Sequence, residues 1–298
     1  MRYIGEWIKA FGKADFTLQA VARAPDRMNF FGIGNETGYD KTGDYKTYYR
    51  TRFSTYRIEP ALRWRKGSVS SISIAPSMYY YTFDPDDNKG RFINNPSLIG
   101  SYDSTTIGEE KLHIGVALHY ERDKRSNKIF AKWGHYINAR LQAYQGIGEY
   151  AKSFAQLITE LAFYKSLNPK STIVLAERMG GVAGFGNAAF YQSAFIGGHE
   201  NLLGYPQYRF AGKHSFYNNL ELRIRLADIA SYIIPGQFGI TGFWDIGRVW
   251  EKNDNSDKWH SGGGGGIYFA PASVFAVSFV VGYSNEGVYP YITMGLRF

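Results

Sequence analysis

Few residues in this chain are placed to do acid–base, metal or nucleophilic chemistry. His113, His119, His135, His199, His214 and His260 show none of the spacing of a helical metal site. His113 and His119 fall on one face of an alternating segment, as any two residues six apart on a strand do. No serine stands in a Gly-x-Ser-x-Gly elbow. Cysteine is absent, which excludes a disulfide framework, a thiolate metal site and a cysteine nucleophile. The five glycines Gly262 to Gly266 are followed neither by Lys-Ser/Thr nor by a helix, so they do not make a phosphate loop. Within a strand, such glycines mark a bend or a close approach of another backbone. The expectation is a chain with no active site, no metal and no cofactor.

Composition points to a membrane boundary instead. The chain of 298 residues carries 24 Tyr, 21 Phe and 6 Trp. Tyr joins an apolar ring to a polar tip, which suits the interface between lipid and water. No apolar run approaches the roughly 20 residues that a helical span needs. The net charge of +8 is spread along the chain rather than gathered in a patch, which argues against a nucleic-acid partner. Basic residues would then line a lumen, meet anionic lipid head groups, or simply be solvated.

Most of the chain reads as period-two segments separated by turn residues, the pattern of membrane strands. Leu112, Ile114, Val116, Leu118 and Tyr120 share one face, and His113, Gly115, Ala117, His119 and Glu121 the other. Leu220, Leu222, Ile224 and Leu226 oppose Asn219, Glu221, Arg223 and Arg225, while Phe275, Val277, Phe279 and Val281 oppose Ala276, Ser278, Val280 and Gly282. A soluble sandwich also alternates, but its strands average about 5–6 residues. The spacing predicts strands at 2–11, 15–23, 45–65, 69–83, 110–123, 128–144, 150–166, 170–179, 215–228, 236–251, 262–270, 274–284 and 289–298. That makes thirteen, whereas bacterial single-chain barrels usually have even counts; either one segment is misread or strands are missing upstream.

Lys66-Gly67-Ser68, Arg125-Ser126-Asn127 and Asn168-Pro169-Lys170 read as tight turns, and Asp84 to Gly108 as a long loop. Gly180 to Ser215 is the longest insertion; it is apolar and Gly-rich, and it should pack somewhere sheltered. Met1 to Phe11 is no secretory signal, since Glu6 and Lys9 interrupt any apolar core. With no repeat or composition break, residues 1–298 are treated as a single barrel domain, expected to be the C-terminal part of a longer chain.

Three segments carry a resemblance. The end of the chain, Tyr291-Ile292-Thr293-Met294-Gly295-Leu296-Arg297-Phe298, alternates Ile292, Met294, Leu296 and Phe298 against Tyr291, Thr293, Gly295 and Arg297. A soluble protein rarely stops on an aromatic residue in mid-strand. This segment resembles the terminal insertion signal of outer-membrane barrels, with Thr293, Gly295, Leu296 and Phe298 as its marks. The second segment joins Gly197-Gly198-His199-Glu200-Asn201-Leu202-Leu203-Gly204-Tyr205 and Tyr208-Arg209-Phe210-Ala211-Gly212 to the later strand Phe243-Trp244-Asp245-Ile246-Gly247. It resembles the bacterial surface antigen superfamily, which contains the barrel-assembly factor BamA and the two-partner secretion transporters. The third, Asn29-Phe30-Phe31-Gly32-Ile33-Gly34-Asn35-Glu36-Thr37, resembles barrels fused behind patatin-like or calcineurin-like hydrolases; a plain structural turn explains it equally.

The resemblance implies an all-β fold, a transmembrane antiparallel barrel of about 16 strands in the family, against about 12–14 visible here. It also implies a long loop near 180–214 folded into the lumen, with its tip locked to the strand carrying Phe243, Asp245 and Gly247. Asp245 facing lipid would cost a few kcal/mol near the midplane, so it should face the lumen and seek a cation. In the family that cation is the arginine of the loop tip. Here the tip reads Leu203-Gly204-Tyr205, which makes Arg209 the nearest replacement and Arg223 or Arg225 the alternatives. Asp245 as one more solvated lumen charge, alongside Glu221, Arg223 and Arg225, is the competing reading. The family further implies an outer-membrane location and work on polypeptide: insertion, assembly or translocation. Lipid, lipopolysaccharide, client polypeptide and the barrel-assembly machinery would be its partners. An anchor or export pore for an upstream hydrolase, and a diffusion porin, are the alternative functions; any enzymatic activity would lie upstream of this chain.

Overall fold

The computed structural model describes residues 1–230, 235–252, 254–271 and 275–298. Its strands are β1 (Arg2–Phe11), β2 (Ala14–Asn29), β3 (Arg50–Lys66), β4 (Ser70–Thr82) and β5 (Lys111–Asp123). There follow β6 (Gly134–Ile147), β7 (Phe154–Ser166), β8 (Ile173–Gly186), β9 (Ala194–Ile196) and β10 (Phe210–Gly212). The last are β11 (His214–Ile229), β12 (Gly236–Trp250), β13 (His260–Pro271), β14 (Val277–Ser284) and β15 (Gly287–Met294). All but β9 and β10 form one 13-stranded sheet in chain order, each strand antiparallel to the next. β9 and β10 pair only with each other, inside the curve of that sheet.

Alternation positions the side chains, and burial runs opposite to that of a soluble protein. On β5, Ile114, Val116 and Leu118 are 41–51% exposed while His113 and Ala117 are 0% and 2% exposed. On β11, Leu220 and Leu222 are exposed on the outer face, whereas Asn219, Glu221 and Arg223 are buried within. Leucine out and charge in is the arrangement of a wall that meets hydrocarbon. No described helix is long and apolar enough to cross a membrane.

The two rims differ. One carries short connections such as Gly12–Lys13 and Gly67–Val69; the other carries the segments 30–49, 83–110 and 187–213. On the long-loop rim these segments build an aromatic cap in which Phe30, Phe31, Tyr49, Tyr81, Phe92 and Phe190 are buried together. The connection 124–133 is longer than the predicted tight turn because it dips inward: Phe130 is buried, its ring 5.5 Å from that of Tyr268. That inward dip moves the start of the predicted strand 128–144 to Gly134. The long insertion also starts later than expected, since β8 keeps its pairing with β7 out to Gly186. The predicted strand 45–65 starts at Arg50, after one helical turn at Tyr45–Tyr48. The predicted strand 274–284 begins on a residue outside the described ones; its described part is β14.

Among the described strands, β1 and β15 each pair on one side only. Both run from the long-loop rim toward the short-turn rim, and they are not paired with each other.

Leu222 lies near the middle of β11 on the exposed face. Leu222→Arg is therefore expected to lower unfolding free energy in lipid vesicles by about 2–4 kcal/mol. Urea titration followed by tryptophan emission measures it, and a loss near zero would contradict a lipid-facing β11.

Candidate functional site: a carboxylate lock beneath the lumen loop

Asp245 is brought inward by the alternation of β12, where Phe243 and Asp245 are buried while Trp244 between them is 57% exposed. Its carboxylate has no exposure, and it receives three donors. Arg297 Nη1 donates to Oδ1 at 2.9 Å and Arg297 Nη2 to Oδ2 at 2.8 Å, a bidentate fork. The backbone N–H of Leu203, at the loop tip, donates to Oδ2 at 2.9 Å. The guanidinium of Arg297 also lies 4.9 Å from the Phe243 ring centroid, a cation–π contact. One carboxylate thus ties the loop tip and the chain's last residues to the same strand.

The tip is pressed against the wall. Gly204 has φ +90, and a Cβ there would stand 2.7 Å from the Tyr283 carbonyl carbon, so only glycine fits. A Cβ on Gly262 would collide with the Leu203 carbonyl, which explains the glycine of β13 beside the tip. The Gly204 N–H donates to Tyr291 Oη at 3.3 Å, and Tyr205 Oη donates to Asn285 Oδ1 at 2.9 Å and to the Ser261 carbonyl at 3.2 Å. Ile196, Leu202, Tyr205 and Phe210 from the loop bury themselves against Val249 of β12. On the same loop, burial first, and then the positive fields of Arg297 and Arg178, hold the His199 imidazole below its ordinary range.

Arg209 is not the partner of Asp245. It faces the cap: Nε donates to both Glu286 carboxylate oxygens at 2.9 Å, Nη1 to Thr37 Oγ1 at 2.8 Å and Nη2 to the Thr37 carbonyl at 2.6 Å. Its guanidinium lies 4.5 Å from the Phe210 ring and 5.0 Å from that of Phe31. Neither alternative fills the role. Arg223 donates through Nε to Glu221 Oε1 at 2.6 Å and through Nη2 to the main-chain oxygen of Phe298 at 2.9 Å. Arg225 sits at the short-turn rim, bonded to Asp228 at 3.1 Å and to the Lys170 carbonyl at 3.2 Å. The reading of Asp245 as a solvated charge also fails, because the carboxylate is fully buried and paired.

The end of the chain departs from the expected strand. β15 stops at Met294, and Gly295, with φ +125, turns the chain into the lumen while its N–H donates to the Ala276 carbonyl at 2.6 Å. Thr293 still lies on the inner face of β15, within 2.5 Å of Ser278 Oγ. Leu296, however, packs on the Phe130–Tyr268 cluster, and the Phe298 ring lies inside, 6.2 Å from Tyr164. Phe298 therefore does not continue the outer face of Ile292 and Met294. The alternation noted in the sequence set Arg297 on the face opposite Phe298; the turn at Gly295 brings both side chains into the lumen.

Asn29 to Thr37 is a knot of ties. Asn35 Nδ2 donates to Ser256 Oγ at 2.9 Å and to the Lys258 carbonyl at 2.8 Å, and its Oδ1 accepts from the Val249 N–H at 3.1 Å. Gly34 N–H donates to the Ala211 carbonyl at 2.8 Å, fastening the cap to the lumen loop. Phe243 and Gly247 flank Asp245 on the inner face, with Gly247 leaving room for Ile196 of the loop. Gly212 ends β10 close against Val249 and Trp250. Residues the sequence reading did not single out are Arg178, whose Nε and Nη2 donate to Asn219 Oδ1 at 3.0 and 2.8 Å, and Glu286. Among the described residues no cluster of His, Asp or Glu has the geometry to hold a metal ion.

A one-layer wall, leucine outside and charge inside, with its lumen filled by its own loop, defines a transmembrane β-barrel of the outer membrane. The profile of the Omp85 superfamily domain matches residues 29–282, and the chain belongs to that superfamily. No curated protein matches it in sequence. Among solved structures it is similar to BamA from Haemophilus ducreyi lacking POTRA domains 1-3, with TM-score 0.66 and 11% identity over 95% of this chain and 62% of that one. CdiB from Acinetobacter baumannii gives 0.57 and 12% over 96% and 48%, and CdiB from Escherichia coli gives 0.53 and 12% over 94% and 49%. The likeness is one of fold, and the chain spans less than two thirds of each of these structures.

Breaking a buried ion pair from one side costs about 3–5 kcal/mol. Asp245→Ala is expected to cost that much, and the double variant Asp245→Ala/Arg297→Ala less than the sum of the two singles by at least about 1 kcal/mol. Urea unfolding of the four proteins gives the coupling; strictly additive losses would show that the two side chains are not paired.

Proposed function

We propose that this barrel acts on polypeptide at the outer membrane, inserting, assembling or translocating it. The observation that carries the reading is the lumen loop locked onto Asp245 within an Omp85 wall in which, among the described strands, β1 and β15 each leave one edge unpaired. A free edge is a row of unpaired N–H and C=O groups, ready to pair with an incoming strand. The closed lumen argues against passive diffusion, since Leu203 and the residues after Met294 converge on Asp245 across it. Lipid and lipopolysaccharide would surround the exposed leucines, and a client chain would meet the seam or the lumen. No catalytic step is assigned to the chain.

Reconstituted in vesicles, the barrel is expected to accelerate folding of a urea-denatured outer-membrane β-barrel client relative to empty vesicles. In planar bilayers the parent should be nearly silent, and Asp245→Ala should raise both conductance and protease access to the loop. Large, steady conductance in the parent, with no effect on client folding, would replace this reading with that of a diffusion pore.

A further inference from the structure

We infer that the lipid-facing wall formed by β7, β8 and β11 is a docking surface for a membrane-embedded polypeptide segment. That segment carries one lysine or arginine on its apolar face, and Glu177 is the seat of the cation. The surface stands apart from the unpaired edges: five strands separate β7 from β1, and three separate β11 from β15.

Alternation puts a carboxylate where hydrocarbon should be. Ala176 and Arg178 are buried on the lumen side of β8, so Glu177 between them points outward. In register with it stand Phe163 of β7 and Leu220 of β11, which are 45% and 41% exposed on that same outer face. Glu177 is the fifth of the 14 residues of β8. At about 3.3 Å per residue and a tilt of roughly 40°, it lies about 6 Å from the strand's mid-height, within an apolar band about 25 Å tall. Asn218 Nδ2, also outward, donates to Glu177 Oε1 at 2.9 Å. Among the described residues no cation pairs with this carboxylate. Arg178 turns inward to Glu160, and Lys165, one pleat nearer the short-turn rim on β7, is not bonded to it. A charge in hydrocarbon without a counter-ion is costly, and such a residue marks contact with a partner that supplies one.

The wall is hollowed beside that carboxylate. One pleat toward the long-loop rim, a groove of about 330 Å³ is lined by Thr159, Gly181 and Ala183 among Leu157, Met179 and Phe216. Gly181 cannot carry a side chain there, because a Cβ would stand 2.1 Å from the Ser215 carbonyl oxygen. The low spot is therefore fixed by the backbone. Small residues let a neighbouring backbone approach closely in a membrane, where packing and a few hydrogen bonds drive association. An acyl chain fits such a groove but offers nothing to a carboxylate at this depth. A second copy in two-fold contact would set Glu177 against Glu177, like charge against like. Groove and carboxylate together select an apolar segment with one base.

The test uses the full chain in phosphatidylcholine vesicles, with folding checked by gel mobility before and after heating. Leu167→Cys, exposed in the connection from β7 to β8, gives this cysteine-free chain a single donor label. The probes are acceptor-labelled leucine–alanine helices of about 20 residues with Lys, Leu or Glu near the centre. By energy transfer the Lys probe should associate at least about threefold more strongly than the Leu probe, the increment of one hydrogen bond between membrane segments. The Glu probe should do no better than the Leu probe. Glu177→Leu should erase the preference for Lys, and Ala183→Trp, which fills the groove, should weaken association of the Lys probe. Equal association of the Lys and Leu probes, or a Lys preference that survives Glu177→Leu, overturns the inference. Transfer between donor- and acceptor-labelled barrels that Glu177→Leu removes would assign the surface to a second copy and overturn it too. A further measurement needs no probe: Glu177→Leu should raise the urea midpoint of the lone barrel, which an unpaired carboxylate in hydrocarbon destabilises. A lowered midpoint would make Glu177 and Asn218 a structural pair and reject the docking role. None of these readouts involves client folding, so failure of the assembly reading leaves the surface standing, and the reverse.

Discussion

Hydrocarbon offers no hydrogen bonds, so every backbone N–H and C=O that meets it must be paired within the protein. In this chain the constraint is met by thirteen strands in one continuous ladder, and side-chain placement follows from it. Each strand has one face toward lipid and one toward the lumen, so its residues must alternate. The lumen in turn becomes the only place where Glu221, Arg223 and Asp245 can lie without severe cost, and all three are buried there in ion pairs. Among the described strands, β1 and β15 each leave one edge outside that ladder.

The lumen loop is held by three different kinds of force. Apolar burial seats Ile196, Leu202, Tyr205 and Phe210 on β12. Backbone proximity, possible only beside Gly262 and Gly282, brings the tip against β13 and β14. Electrostatics then fixes both ends, with Asp245 taking the Leu203 amide on one side and Arg209 joining Thr37 to Glu286 on the other. Asp245 is the point of greatest leverage, because its removal would strand Arg297 and free the tip together.

How legible this was from sequence varied with the range of the interaction. The strands could be read because period-two alternation is local, and β5, β11 and β12 lie close to where it placed them. The inward direction of Asp245 was legible for the same reason. Its partner was not, because Leu296, Arg297 and Phe298, which alternate like a strand, are turned aside by Gly295, whose φ of +125 has no local signature distinguishing it from a strand glycine. Arg209 was misassigned since its true partners, Thr37 and Glu286, come from remote segments that meet only in the folded barrel. Asn29 to Thr37 read equally as a turn or a binding motif; its bonds to Ala211, Val249 and Ser256 are what the fold makes of it.

The shared direction of β1 and β15 has a consequence that is a matter of parity. Brought together, these two edges would form a parallel pair, in a wall where every other neighbour is antiparallel. Antiparallel closure requires an odd number of intervening strands. A hairpin, which always contributes two, leaves the mismatch unchanged, whereas a single extended segment resolves it. Whatever completes the ring, its strand count is restricted before any side chain is considered, and the seam accepts one strand more readily than a pair.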